Sequence, residues 1–368
     1  MKKNTPLTVA LVHDFLREYG GGERVLEALH ELFPAAPVYV AFADKKALGL
    51  HWKNFADWDI RESWITRIPF YKTFFSPLRV LSPQFFQSFD LSAYDVVISS
   101  SNAYFAKAVQ VKHPAKHICY CHTPARSLYG YSTRTDWKKK PVIHFFGTLI
   151  NHYLRVVDVK VSQKVDFFIA NSLEVQRRIQ KFYHRDATVI FPPVNIPAQL
   201  NHKKREYFLY VNRLGFTKHP EIAVEACTRL NVPLKVVGTG SSEAYLHEIA
   251  GTTIQFYGSV SDEKLSELYD GAKALIYPVE DEDFGIVPVE AMSHGVPVLA
   301  HRSGGPCETI LEGETGLFFD QLTVDAVIGI MKKFETIHFD SEKLYAHARS
   351  FNKDRFQKEI MAFIALAV

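Results

Sequence analysis

The stretch YFLYVNRLGFTKHPEIAVEACTRLNVPLKVVGTG, residues 207–240, decides how this chain folds. It opens on a short apolar run without strict alternation, the pattern of a parallel strand covered on both faces. A polar turn follows, and PEIAVEACTRL reads as a helix with proline at its start. PLKVVGTG then returns as a second strand ending in glycines. Strand, helix and strand in succession make one βαβ unit of an α/β sheet.

The same alternation extends in both directions. Downstream, the strands TIQFYGSV, KALIYPVE and VPVLAH are separated by the helical patterns EAYLHEIA, DEKLSELYDGA and the segment carrying Glu290, and TVDAVIGIMKKFE adds a further helix. Upstream, TVALVHDF reads as a strand and GERVLEALHELF as an amphipathic helix with Val25, Leu26, Leu29 and Phe33 on one side. APVYVAF, YDVVISSS, HICYCHTP and DFFIANS are further strands, the last leading into the helix LEVQRRIQKFY. Between the two series, ATVIFPPVNIPAQLNHKKRE has three prolines and no helical period, which places a linker near 192–204. A chain of 368 residues also exceeds the size at which one core stops growing. The expected fold class is therefore α/β: two Rossmann-like doubly wound parallel-sheet domains, 1–195 and 196–349, facing across a cleft.

Net charge is +3 but unevenly spread. Residues 1–200 hold 26 Lys and Arg against 16 Asp and Glu, a balance of +10; residues 201–368 hold 17 against 24, a balance of −7. The basic excess lies within 101–200 and suits either an anionic partner or a merely solvated face. Four scattered cysteines show no CxxC pair and no zinc spacing, which reads as reduced thiols in an intracellular, cytoplasmic protein. Lys2 and Lys3 precede an apolar stretch broken at His13 and Asp14, too short for a secretory leader. No run approaches the length of a membrane span.

In open α/β sheets, ligands bind beyond the carboxyl ends of the strands, where helix N-termini turn N–H groups outward. Five unusual stretches fall there. YGGGER (19–24) is a glycine-rich turn able to take positive φ and approach an anion; it is not GxGxxG, and a tight turn without a ligand fits it equally. CHTPARSLYGY (121–131) puts His122 at a strand end, either to bond a sugar hydroxyl or a reacting centre or to sit as a satisfied core histidine. VNRLGFTKHPE (211–221) brings Arg213 and Lys218 beside a helix N-terminus, an unfavourable place for cations unless an anion such as a diphosphate joins them. VVGTG (236–240) is another glycine-rich strand end.

The fifth stretch is ALIYPVEDEDFGIVPVEAM (274–292). Its four consecutive acids repel one another unless water, a cation or a ligand relieves them. Gly285 permits a tight turn and Pro288 suits a first helical turn, so Glu282 precedes the helix and Glu290 lies about one turn inside it. N–H groups near Gly285, Ile286 and Val287 stand between the two carboxylates. That series suits a ligand with hydroxyls at both ends and phosphates in the middle, as in a nucleotide sugar.

With these residues in hand, a resemblance becomes specific. EDFGIVPVE (282–290) resembles the E-x7-E motif of the family-4 retaining glycosyltransferases of the GT-B fold. VNRLGFTK resembles their Arg…Lys diphosphate clamp, and YGGGERV their first glycine loop. ANSLEVQRRIQKFYHRDATVIFPPVN is similar to their closing N-domain segment, and SGGPCETILEGETGLFF to their C-terminal hallmark. YCHTPARSLYGY looks most like bacterial mannosyltransferases that build O-antigen and related polysaccharides. Two departures stand out: Gly22 where many relatives carry alanine, and a longer acidic run before Phe284.

The resemblance implies a hexosyltransferase acting on a nucleotide-diphosphate sugar, GDP-mannose for the mannosyl type, with a saccharide or polyprenyl-linked acceptor and no nucleic acid. It implies that Glu290 holds the donor ribose and that Glu282, with backbone at Phe284 and Gly285 and the following Ile286 and Val287, meets the donor sugar and phosphates. Arg213 and Lys218 would neutralise the departing diphosphate, aided by Gly21 and Gly22; His122 would meet the donor sugar and Arg126 the acceptor. The family's last helix crosses back to the first domain, which assigns 350–368 there. WITRIPFYKTFFSPLRVLSPQFF (64–86) reads either as a peripheral membrane contact at the inner face of the cell membrane or as an ordinary buried segment. DED at 281–283 invites a metal reading, set aside here because cations already occupy the phosphate role; no cofactor is expected. A sugar-nucleotide epimerase and a non-catalytic nucleotide-sugar-binding protein remain the rival readings.

Overall fold

The computed structural model describes residues 7–131 and 141–368, with the side chains of 141–144 outside the description, as are Lys2 and Lys3. The chain divides into two compact units: Met1–Pro193 with Phe356–Val368, and Val194–Arg355.

Unit 1 is built on seven strands: β1 (Val9–His13), β2 (Val38–Val40), β3 (Ile60–Glu62), β4 (Val96–Ser101), β5 (Lys116–Cys121), β6 (Phe167–Ala170) and β7 (Ala187–Val189). They lie in the order β3-β2-β1-β4-β5-β6-β7, every neighbouring pair parallel. Both faces are covered, and alternate residues feed two separate cores. Leu11, Val38, Ile98 and Ile118 point into one; Ala10, Val12, Tyr39 and Val97 point into the other. That is why the sequence of these strands shows no polar alternation.

The last helix, Lys353–Ala367, belongs with the first of those cores. Phe356, Ile360 and Ile364, spaced by four, form its buried stripe. The Phe356 ring meets Tyr120 of β5 edge-on at 5.8 Å. Gln357 donates to the carbonyl of Ala28, on the first helix of the unit. Just before it, Phe351 still packs against Phe284 within unit 2.

The segment 64–86 is mixed: five of its residues are buried, nine are exposed and the rest lie between. Ile65, Phe85 and Phe86 are buried, Trp64 lies edge-on to Phe85, and Tyr71 and Phe75 pack against Phe42. Phe70 and Phe74 are the exposed large apolar side chains of that segment.

Unit 2 carries six strands: β8 (Tyr207–Val211), β9 (Leu234–Val237), β10 (Ile254–Gly258), β11 (Ala272–Tyr277), β12 (Val298–His301) and β13 (Gly316–Phe319). Their order is β10-β9-β8-β11-β12-β13, again parallel throughout. The two expected doubly wound sheets are therefore present. β3, β7 and β13 add strands beyond those read from the sequence; each has only three or four residues and lies at an edge of its sheet. Among the described residues, no helix is long and apolar enough to cross a membrane.

Phe356 is wholly buried against a strand on the far side of the sequence. Phe356→Ala is expected to destabilise unit 1 by about 3–5 kcal/mol, the usual range for emptying a buried phenylalanine site. Urea denaturation followed by tryptophan fluorescence measures it, and a loss below about 1 kcal/mol would contradict the docked position.

Candidate active site

In each sheet the winding reverses between the first strand and the fourth in sequence order. At such a reversal the loops leaving two adjacent strands part toward opposite faces, so their carboxyl ends stay open to a ligand. In unit 2 those strands are β8 and β11, and the two charged loops singled out above leave these strands.

Arg213 stands exposed just after β8, and Lys218 closes the short helical turn Phe216–Lys218. The Lys218 ammonium is ion-paired with Glu282, which lies in the loop after β11; both side chains are about five-sixths buried. The Tyr277 hydroxyl donates to the same Glu282 oxygen at 3.0 Å, and the Tyr210 hydroxyl donates to the carbonyl of Lys218 at 3.0 Å. Burial pushes both phenol pKa values well up, so the two rings remain O–H donors. Repulsion in the acidic run is thus partly relieved from inside the protein, by a cation and a phenol. Of the water, cation or ligand that the sequence left open, the protein itself supplies a cation.

Gly285, at φ +86°, caps the helix Ile286–Ser293, where a positive φ favours glycine. Glu290 is buried five residues into that helix and accepts the Tyr269 hydroxyl at 3.1 Å. Phe284 is buried, and Ile286 and Val287 are half-buried at the helix start.

Two pairs of glycines hold these loops in place. A Cβ on Gly238 would stand 1.9 Å from the Asn212 carbonyl oxygen, and one on Gly240 would stand 2.2 Å from that of Leu214. The glycines of VVGTG therefore let the β9 loop press on the β8 loop. After β12, a Cβ on Gly304 would lie 2.2 Å from the Glu282 carbonyl oxygen, and Gly305 N–H donates to that oxygen at 2.8 Å. In both places, close backbone contact steadies the loop that carries the charged groups.

In unit 1 the reversal lies between β1 and β4. His13 ends β1, Ser100 lies in β4, and His122 follows β5 directly. The Ser100 hydroxyl is 2.8 Å from His122 Nε2 and 3.0 Å from His13 Nδ1, and His13 Nε2 is 3.5 Å from a Glu23 oxygen. The other Glu23 oxygen accepts the Gly20 N–H at 2.9 Å. Asp14 accepts the N–H groups of Asn102, Tyr104 and Ala106, fixing the loop after β4. Burial, helped by His13, lowers the His122 pKa to about 3, so the ring is neutral at neutral pH.

The glycine turn departs from expectation. Gly20 is extended (φ −157°), Gly21 begins the helix Gly21–Leu32, and none of Gly20, Gly21 and Gly22 takes positive φ. Gly22 lies against both rings: a Cβ there would stand 3.6 Å from His122 Nε2 and from His13 Cε1, an ordinary contact that alanine fits. Arg126 is half-buried in the turn Arg126–Leu128.

The structure thus joins Lys218 to Glu282, puts Arg213 on the same loop as Lys218, and sets Gly22 beside His122. Sequence reasoning missed His13, Ser100, Glu23, Tyr210, Tyr269 and Tyr277. A polar residue closing an otherwise apolar strand was the available signal for His13 and Ser100. Among the described residues, no group of three or more His, Cys, Asp or Glu side chains is arranged to hold a metal ion.

Residues 194–351 match the family described as Glycosyl transferases group 1. The alpha-1,3/1,6-mannosyltransferase alg2 of Schizosaccharomyces pombe is 26% identical over 377 aligned positions, covering 85% of this chain and 71% of that protein. A GDP-mannose-dependent alpha-mannosyltransferase of Corynebacterium glutamicum is 34% identical over 111 positions, 30% of this chain and only 27% of that protein. Among solved structures, sucrose-phosphate synthase from Thermosynechococcus elongatus superposes with a TM-score of 0.74 at 17% identity, covering 98% of each chain. That likeness shows the fold, GT-B.

His117, held by burial to a pKa of about 4, accompanies His122 at about 3. Both folded values lie below the ordinary 6.5, so the unfolded chain takes up protons that the folded chain refuses. Their contribution to stability is full above about pH 6.5 and falls as pH drops toward 4, by up to about 1.4 kcal/mol per pH unit for each ring. Urea midpoints measured from pH 7.5 to 4.5 should fall accordingly, and His122→Gln should make the decline shallower; parallel profiles would contradict the neutral, buried ring.

Proposed function

We propose that this chain, which belongs to the family-4-like retaining glycosyltransferases, transfers a hexose from a nucleotide-diphosphate sugar to a saccharide or lipid-linked oligosaccharide. Mannose from GDP-mannose is the donor we assign, with polysaccharide assembly in the cytoplasm as the setting; the mannosyl activity of the relatives supports it. The single observation that carries the reading is the placement of Arg213, Lys218 and Glu282 on the two loops that leave the reversal strands of unit 2. Glu290 lies on the helix that follows.

In this reading Glu290 receives the ribose hydroxyls, and the N–H groups at Gly285, Ile286 and Val287 face the phosphates at the positive end of their helix. Arg213 and Lys218 stabilise the charge that grows on the diphosphate as the bond from the sugar C1 to phosphate breaks. Glu282, already holding Lys218, meets the donor sugar. The acceptor hydroxyl bonds to C1 on the face the phosphate leaves, and its proton passes to the departing phosphate. Unit 1 offers Gly21 and Gly22 to the phosphates, His122 to a sugar hydroxyl and Arg126 to the acceptor. No metal ion is needed for these roles, because two cationic side chains fill the place of one.

We also assign unit 1 a contact with an anionic membrane surface. On the helix Pro141–Ser162, Leu154, Asp158 and Val161 are buried, while Phe145, Phe146, Leu149, Ile150, Tyr153 and Val156 are exposed. The exposed charges among its described side chains, Arg155 and Lys160, are both positive. Apolar and cationic groups together suit a lipid interface. Sedimentation with anionic phospholipid vesicles should carry the protein down, and a Phe145→Ser, Leu149→Ser double variant should stay in solution; equal sedimentation of the two would refute this contact.

The main test is transfer from a panel of nucleotide sugars, run in excess EDTA with free and lipid-linked acceptors. Arg213→Ala and Lys218→Ala should each lower kcat by about 10²–10³, the scale for losing one preorganised charge-stabilising group. Glu290→Gln should weaken donor binding by about 1.5–3 kcal/mol in calorimetry. Activity of the two cation variants within about threefold of the parent protein would remove the clamp from the mechanism. Turnover of donor without any acceptor would favour the epimerase.

A further inference from the structure

The buried polar chain at the reversal of unit 1 determines which nitrogen of His122 carries its proton. Ser100 Oγ lies between His122 Nε2 (2.8 Å) and His13 Nδ1 (3.0 Å). A serine hydroxyl has one proton, so it donates toward one ring and accepts from the other. The far side of His13 decides the direction. There Nε2 lies 3.5 Å from Glu23 Oε1, and Glu23 is itself held by the Gly20 N–H. An unprotonated Nε2 would turn its lone pair toward a carboxylate, so the proton of a neutral His13 belongs on Nε2. His13 Nδ1 is then bare and accepts the Ser100 O–H. Ser100 in turn accepts the Nε2–H of His122, which leaves His122 Nδ1 with a free lone pair. Among the described residues no hydrogen bond to that nitrogen is made, and His122 keeps 8% of its surface exposed.

We propose that Glu23, His13 and Ser100 are positioning residues that hold His122 as the Nε2–H tautomer and present Nδ1 as a hydrogen-bond acceptor. The group received there is then a hydroxyl that donates, as on a sugar ring, and not a carbonyl or phosphate oxygen. The four side chains come from the ends of β1, β4 and β5 and from the first turn of Gly21–Leu32, all within unit 1, and each is more than nine-tenths buried. The identity of the ligand as a saccharide rests on the proposed function; the tautomer does not.

Nitrogen-15 NMR of histidine-labelled protein at pH 7.5 tests the tautomer without any donor. The His122 signals, assigned by their absence in His122→Gln, should show a protonated Nε2 and an unprotonated Nδ1. Ser100→Ala should shift them toward a mixture of both tautomers and raise KM for the nucleotide sugar about threefold to tenfold, the worth of one neutral hydrogen bond, with kcat nearly unchanged. Ser100→Thr, which keeps the hydroxyl, should restore both readouts. A protonated Nδ1 in the parent protein would overturn the proposal, because it would mean that His13 is a cation and the chain runs in reverse. His122 signals unmoved in Ser100→Ala would overturn it too, since the ring would then be fixed without the relay. Loss of the transfer reaction with the expected spectra intact would count against the proposed function alone.

Discussion

Parallel pairing is the constraint on which the rest of this structure depends. Parallel strands need a crossover between every neighbouring pair, and here those crossovers are mostly helices. Every strand therefore delivers its carboxyl end, and every following helix its N-terminus, to one edge of the sheet. In both units the strand order reverses beside the first strand, so two adjacent loops part at that edge. The charged loops of unit 2 and the histidines of unit 1 lie at these two positions. The chemistry thus sits where the topology leaves polar groups open.

Loops at such an edge need support, and in unit 2 it comes from their neighbours in the sheet. Gly238 and Gly240 press against Asn212 and Leu214, and Gly304 and Gly305 press against Glu282 and Phe284. Contacts this close exclude any side chain, so these positions are closed to every residue but glycine. Tyrosines from the central strands add directional bonds: Tyr210 to the Lys218 carbonyl and Tyr277 to the Glu282 carboxylate. An ion pair this largely buried adds little net stability by itself, because desolvating both charges offsets their attraction. The value of the Lys218–Glu282 pair lies in holding two charges of opposite sign ready at one place.

Unit 1 handles polarity differently. Its polar side chains at the reversal are almost wholly buried, and burial is tolerable only where each donor meets an acceptor. The run from Glu23 through His13 and Ser100 to His122 meets that condition with one nitrogen left over. A second buried set, Lys107 paired with Asp158 at 2.6 Å, lies under Tyr129 and Tyr183, whose hydroxyls both donate to Asp158. That set ties the helix Pro141–Ser162 to the turn Ala106–Ala108 and to the helix Leu173–Tyr183.

The sequence by itself determined the α/β class, the two series of strands and helices, and the candidate charged residues. Each of these is a local matter: apolar runs mark buried strands, and a glycine or proline near a helix start is visible within a few positions. Glu282 and Glu290 were legible because eight residues and one helix start fix their relation. The pairing of Lys218 with Glu282 was not, because 64 residues separate them and only the adjacency of β8 and β11 brings them together. The same holds for the histidine chain, whose members are neighbours only because β1, β4 and β5 lie side by side. Glycine roles divide likewise: the positive φ expected in the first glycine turn is absent there and present at Gly238, Gly285 and Gly304. Local pattern chooses the elements, whereas strand order is decided by how whole faces bury one another, and only that order puts distant side chains within hydrogen-bonding reach.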